Sequence, residues 1–261
     1  MRRQIIFYAA GAAVLFIGGL TASYANGISG TDERAKAVLI ELFTSEGCSS
    51  CPPADALLRQ INGKRTDTGQ LIVGVSEHVT YWNAQGWTDP FSSPASTERQ
   101  DEYGRRFGLE SVYTPQMIIN GETQIVGSDS AALLHALKSE TPKEPLSVQI
   151  VKAGIENNVL NIDFTVTGSA PGRGAEIFAI LAEDETTSKV LHGENSGRTL
   201  SHVAVARSIT RIATIKTSTE RTVHLPLSTS AQMPSGPGKH LILFAQASGL
   251  GKVLGVDTKP L

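Results

Sequence analysis

Residues 38–61, VLIELFTSEGCSSCPPADALLRQI, decide how the rest of the chain is read. The run from Val38 to Phe43 is apolar except for Glu41 and predicts a buried strand. A polar turn follows, then Cys48 and Cys51, then Pro52 and Pro53 at the head of a helical pattern with Ala54, Leu57, Leu58 and Ile61 on one face. Proline is tolerated in the first turn of a helix, where the amide hydrogens have no intrahelical partner. The cysteines therefore fall between a buried strand and a helix N-terminus, where oriented amides and the helix dipole favour an anion such as a Cys48 thiolate. That context favours redox chemistry. Two other readings of the pair stand beside it. Half of a zinc site would need two more ligands, and none of the six histidines is close to the pair in sequence. A purely structural disulfide across so short a loop removes little unfolded-state entropy and stabilises poorly.

Upstream, Met1-Arg2-Arg3 precedes an apolar run from Ile5 to about Leu20, and Ser23-Tyr24-Ala25 supplies a small-residue cleavage pattern. This predicts a secretory signal peptide over residues 1–25, with 26–36 as a lead-in, and hence export to the periplasm or outside the cell. A retained anchor is the competing reading, although the run is short of the roughly 20 residues that span a bilayer. Cleavage leaves no stable membrane span. Removing residues 1–25 takes away two arginines and no acids, so 21 basic and 25 acidic residues remain, net −4. No basic block appears, which argues against a nucleic-acid partner.

Downstream, Leu71 to Val75 is a second buried strand, so strand, helix and strand predict a parallel βαβ unit with a right-handed crossover. It runs into His78, and the loop to Pro94 holds Tyr81, Trp82, Trp87 and Phe91. Sites in open α/β sheets lie at the carboxyl ends of parallel strands. Trp82 and Trp87 are therefore candidate substrate-binding residues, and His78 a candidate to assist thiol deprotonation. The plainer reading is that the aromatics pin a long loop and the histidine is structural. Ser93-Pro94 reads as the start of a helix running to Phe107 and stopping at Gly108, with its charged residues on a solvated face. Met117-Ile118-Ile119 and Gln124-Ile125-Val126 are strands joined by Asn120-Gly121, a strong hairpin dipeptide, with Pro115 at the strand entry. A last helix runs from Gly127 to Ser139.

This order of elements, with Cys-x-x-Cys after the first strand and Thr-Pro before a hairpin, resembles the thioredoxin fold. The resemblance implies that Cys48 is the nucleophilic and Cys51 the resolving cysteine. It also implies that Thr114 and a cis Pro115 lie beside them, presenting backbone to substrate, and that Glu41 relays the proton when Cys51 ionises. Gly47 stands where thioredoxins carry tryptophan, and Ser49-Ser50 replaces their usual dipeptides, leaving the redox direction open. More specifically, FTSEGCSSCPPAD, the segment from His78 to Phe91, and Tyr113-Thr-Pro-Gln116 resemble the secreted family known as domain of unknown function 1223.

Residues 140–145 are a polar, proline-containing linker. Beyond it the chain changes character. Val159 to Val166 alternates, with Leu160, Ile162, Phe164 and Val166 on one face, and short strands are predicted at 146–151, 177–181, 222–227, 240–247 and 252–256. His192 and His202 flank Gly193 to Leu200, a polar stretch able to face the cysteines but read most simply as a solvated loop. The expected architecture is thus an α/β thioredoxin-like domain over 37–139, a mixed central sheet flanked by helices, followed by an all-β antiparallel sandwich over 146–261. The expected function is an exported thiol–disulfide oxidoreductase acting on protein thiols and disulfides, with a redox partner protein and without cofactor or bound metal. The alternative is a non-catalytic binding module for a partner protein or a metal such as copper, in which the cysteine pair is structural.

Overall fold

A computed structural model describes residues 37–139, 146–227 and 238–261. The expected signal peptide, lead-in and linker lie outside the described residues. Among the described residues no helix is long and apolar enough to cross a membrane.

Locally, the elements form where composition and turn residues place them. Strand β1 (Ala37–Thr44) leads through the cysteine loop into α1 (Pro52–Ile61), and β2 (Leu71–His78) pairs parallel with β1 from Ala37↔Leu71 to Thr44↔His78. Helix α2 (Pro94–Phe107) starts where Ser93 Oγ accepts the Ser96 amide and ends at Gly108, whose φ of 66° is left-handed. Strands β3 (Gln116–Ile119) and β4 (Thr123–Val126) form the hairpin, with Asn120 and Gly121 both at positive φ as a type I′ turn requires. Helix α3 (Ser130–Ser139) follows. The second half contains only strands: β5 (Leu146–Glu156), β6 (Val159–Ser169), β7 (Ala175–Lys189), β8 (Thr199–Ile215), β9 (Thr217–Pro226), β10 (Lys239–Ala247) and β11 (Val253–Pro260).

The expected architecture is corrected by how these strands assemble. They do not form a helix-flanked sheet followed by a separate sandwich. One eight-stranded mixed sheet, β11-β10-β7-β8-β2-β1-β3-β4, draws on both halves of the chain, and β5-β6-β9 form a second, three-stranded sheet. The described protein is mostly β, with three α-helices. The join is β8, which runs antiparallel to β7 along most of its length and meets β2 in parallel at Ser76↔Val205. Burial explains the join. Leu39, Val73 and Val75 from the first half form one apolar cluster with Ile180, Ala206, Ile242, Phe244 and Val253 from the second. The face of β1 and β2 that carries these side chains is covered by strands, so the two halves exclude water from a shared core.

The sheet curls until β11 reaches the β3–β4 turn, where the Val253 amide donates to Asn120 O at 2.8 Å. Gly121 sits in this contact: at φ 68°, a Cβ there would come 2.6 Å from Gly251 O. Helices α1 and α3 cover Val38, Ile40, Leu42, Met117 and Ile119 through Ala54, Leu58, Leu133 and Leu137. The second sheet covers the other end, packing Leu160, Ile162, Phe164 and Val166 against Ile177, Leu181, Leu241 and Leu243.

Strand β8 escaped sequence reading because its pattern is not period two over its length. It bulges at Arg207 and Ile212, where the register to β7 shifts, and Ala204 adds a left-handed φ of 50°. The charged face of α2 is also corrected: Arg99 is buried rather than solvated.

Candidate functional site: a buried disulfide and its polar shell

Cys48 and Cys51 are joined by a disulfide, with Cα atoms 5.4 Å apart. The loop is shaped by its own backbone, Cys48 N donating to Ser45 O and Cys51 N to Cys48 O, both at 3.2 Å. Cys51 O then accepts from the amides of Ala54 (2.8 Å) and Asp55 (3.1 Å), which starts α1. Both cysteines are fully buried, whereas Ser49 and Ser50 between them are exposed. Ser50 Oγ lies 3.4 Å from Cys48 Sγ, a hydroxyl donor for any negative charge on that sulfur.

The expected neighbours take up distinct positions. The Thr114–Pro115 peptide is cis. Trp82 Nε1 donates to Thr114 Oγ1 at 2.7 Å, and a Cβ on Gly47 would lie 3.1 Å from Trp82 Cβ. Glycine at 47 thus lets the indole close against the cysteine loop. Trp87 is brought to the same loop, its Nε1 donating to Glu46 Oε2 at 2.8 Å. Both indoles are half-buried, with their polar edges bound to the protein.

His78 is fully buried, its Nδ1 2.7 Å from Asp89 Oδ2 and its ring edge-on to Phe91 and His202. Asp89 also accepts the Glu46 amide at 2.8 Å. Burial alone would raise the Asp89 pKa, but the charge and hydrogen bond of His78, with the amides of Glu46 and Phe91, lower it to about 2. Asp89 is therefore a fixed anion that orients both the histidine and the residue preceding Gly47. The hydrogen bond and ring contacts of His78 are with Asp89, Phe91 and His202 of this shell.

Glu41 lies in a buried cluster with Arg99 and Tyr103. Its carboxylate accepts from Arg99 Nε and, at 2.6 Å, from Tyr103 OH, and Gln246 ties into both partners. Glu77 lies alongside, 3.9 Å from Arg99 Nε. Burial, followed by the nearby Glu41 charge, raises the Glu77 pKa well above the usual carboxylate range, against the lowering effect of Arg99.

Sequence reading missed the shell behind the motif. Glu46 is fully buried and accepts from Trp87, from Ser188 Oγ and, at 3.3 Å, from His202 Nε2. His202 Nδ1 is 3.6 Å from Asp55 Oδ2, an ion-pair distance. Burial disfavours the imidazolium, but hydrogen bonding and charge from Asp55 and Glu46 outweigh it and raise the His202 pKa to about 9. Asn195 Nδ2 donates to Glu46 O and Cys48 O, both at 2.9 Å, and Glu194 Oε2 accepts the Ser49 amide at 3.0 Å. Glu46 and Asp55 lie within the motif and were open to suspicion from sequence. Ser188, Glu194, Asn195 and His202 are at least 142 positions from their partners. Ser188 carried no local signal, whereas Glu194 and Asn195 lie in, and His202 flanks, the polar stretch that sequence offered as able to face the cysteines but read most simply as a solvated loop. Among the described residues no group of three or more His, Cys, Asp or Glu is placed to hold a metal ion.

These features define a mostly β protein with a buried disulfide, enclosed by polar groups from both halves of its sheet. A model of the family described as "Protein of unknown function (DUF1223)" matches residues 39–246, and the chain belongs to that family. It is similar to a structural-genomics crystal structure of a protein from Agrobacterium tumefaciens, with 30% identity over 86% of this chain and 94% of that one and a TM-score of 0.61. HBP35 of Porphyromonas gingivalis shares the fold alone, with a TM-score of 0.59 at 14% identity over 86% of this chain and 75% of that one. A comparison with curated proteins gives no match.

Proposed function

We propose that the protein is an exported thiol–disulfide oxidoreductase acting on protein thiols and disulfides. The observation that carries this reading is the Cys48–Cys51 bond at the junction of β1 and α1, with Ser50 Oγ beside Cys48 Sγ. A disulfide is also the form that an oxidising compartment maintains. In the oxidised form a substrate thiol ionises and its thiolate attacks Cys48 Sγ; the Cys48–Cys51 bond breaks, and Cys51 leaves with the electron pair as a thiolate that takes up the proton the substrate thiol released. A second substrate thiolate attacks the substrate sulfur of the mixed disulfide, releasing Cys48 as thiolate and leaving the substrate oxidised. Run in reverse, the same steps reduce a substrate disulfide, the net direction being set by the two reduction potentials. The Ser50 hydroxyl and the α1 N-terminus stabilise the Cys48 thiolate.

A second reading is favoured by one observation: neither cysteine has accessible surface. It makes the pair structural and the protein a binding module for a partner protein. Equilibration of the pair against glutathione separates the two, because structural disulfides lie typically below about −300 mV and catalytic ones above it. A potential above that value, with turnover of a protein disulfide that Cys48→Ser abolishes, supports the oxidoreductase. Full activity in Cys48→Ser would sink it.

A further inference from the structure

Thiol–disulfide exchange requires a thiolate to reach a sulfur, and here both cysteines are closed off from solvent. Part of the cover is residues 190–198, which connect β7 to β8. This loop is closed by its own backbone: Val190 N donates to Arg198 O at 2.9 Å, Gly197 N to Val190 O at 2.8 Å and Ser196 N to Gly193 O at 3.1 Å. Residues 191–194 and 196–198 are exposed. Asn195 is the exception, fully buried although polar, because its side chain points into the cysteine loop. Its amide nitrogen spans Glu46 O and Cys48 O, and its Oδ1 accepts from Arg198 Nη1 at 2.8 Å. Glu194 reaches the Ser49 amide beside it. Along the seam between α1 and the loop root runs a cleft of about 200 Å³, lined by Pro52, Asp55, Arg59, Arg198 and Ser201 among others.

From this arrangement we infer that residues 190–198 form a gate over the Cys48–Cys51 pair, with Asn195 as the positioning residue that holds it shut. The internal hydrogen bonds of the loop do not oppose its swinging away, so opening costs the Asn195 and Glu194 bonds to the motif and the packing of Gly193 against Gln85 and Trp87. Those bonds fall on backbone atoms, Ser49 N and the carbonyls of Glu46 and Cys48. An extended polypeptide segment carrying a cysteine supplies carbonyl and amide groups able to replace them. The gate therefore favours such a segment over small thiols, which offer no replacement. The substrate class rests on the oxidoreductase reading; the gate itself does not.

The test follows the protein's own disulfide. Oxidised full-length protein is treated with dithiothreitol, which is oxidised to its cyclic disulfide as the Cys48–Cys51 bond opens to two thiols, and those thiols are counted over time. The proteins compared are wild type, Asn195→Ala, Glu194→Gln, and Phe164→Leu as a destabilising control in the distant second sheet. We expect reduction of Asn195→Ala to be roughly tenfold faster than wild type, as loss of one or two buried hydrogen bonds implies. Glu194→Gln should accelerate it less, and Phe164→Leu should leave it unchanged. A wild-type rate in Asn195→Ala overturns the gate, as does an equal acceleration in Phe164→Leu, which would point to global unfolding. No substrate turnover enters this measurement. Fast reduction in Asn195→Ala together with a pair that glutathione does not reduce would keep the gate and remove the oxidoreductase reading.

Discussion

The pH dependence of stability is expected to follow His202. In the unfolded chain its imidazole has an ordinary pKa of 6.5, and in the folded protein Asp55 and Glu46 hold it protonated up to about 9. Between those values the folded state keeps a proton that the unfolded state has released, so stability falls as pH rises. The contribution is fully present below about pH 6.5, is lost by about pH 9, and is of the order of 3 kcal/mol. The assay is urea unfolding of the oxidised protein at pH 6.0 and 9.5, for wild type and His202→Gln. Urea is chosen because a salt denaturant would screen the charges involved. With two cysteines in the chain, already paired with each other, no intramolecular disulfide reshuffling complicates the alkaline arm. Subtracting the variant removes the other histidines. The gap between wild type and His202→Gln should shrink by about 3 kcal/mol from the acid to the alkaline condition. A gap that stays constant would refute the protonated His202 and the electrostatic account of the shell behind Cys48.

Two further outcomes test the architecture. Arg99→Met leaves Glu41 buried without its cation and should cost about 3–5 kcal/mol by urea unfolding, with Glu41→Gln/Arg99→Met recovering part of that loss. Gly121→Ala places a methyl against Gly251 O at a left-handed backbone position and should lower stability by more than about 1 kcal/mol.

The individual elements of the first half were legible because each is marked locally. Ser93-Pro94 and Gly108 bound α2, Asn120-Gly121 sets the hairpin, and the apolar run from Val38 to Phe43 makes a strand buried on both faces. Their assembly was not legible. A βαβ unit followed by an alternating β-rich half reads as two layers in series, because nothing in Leu39 or Val75 says whether a helix or another strand will cover it. The alternation of β7 sends Ile177 and Leu181 to one core and Ile180 and Ala182 to another, and sequence alone does not say that the second core is shared with β1 and β2.

The same division runs through the site. The placement of Cys48 and Cys51 between a buried strand and a helix N-terminus was open to sequence, since spacing, the following prolines and the preceding strand are short-range facts. The surroundings of the pair depend on the register of β8 beside β2, which brings His202 to Glu46 across 156 positions. Asn195 and Glu194 reach the motif from the loop joining β7 to β8, and Glu41 is drawn into a cluster with Arg99 by the way α2 packs. Local backbone preferences and side-chain periodicity act over a few residues and are written in the sequence. Which buried charge meets which partner is decided when the sheet closes, because only then is water excluded and each polar group forced to find its donor or acceptor.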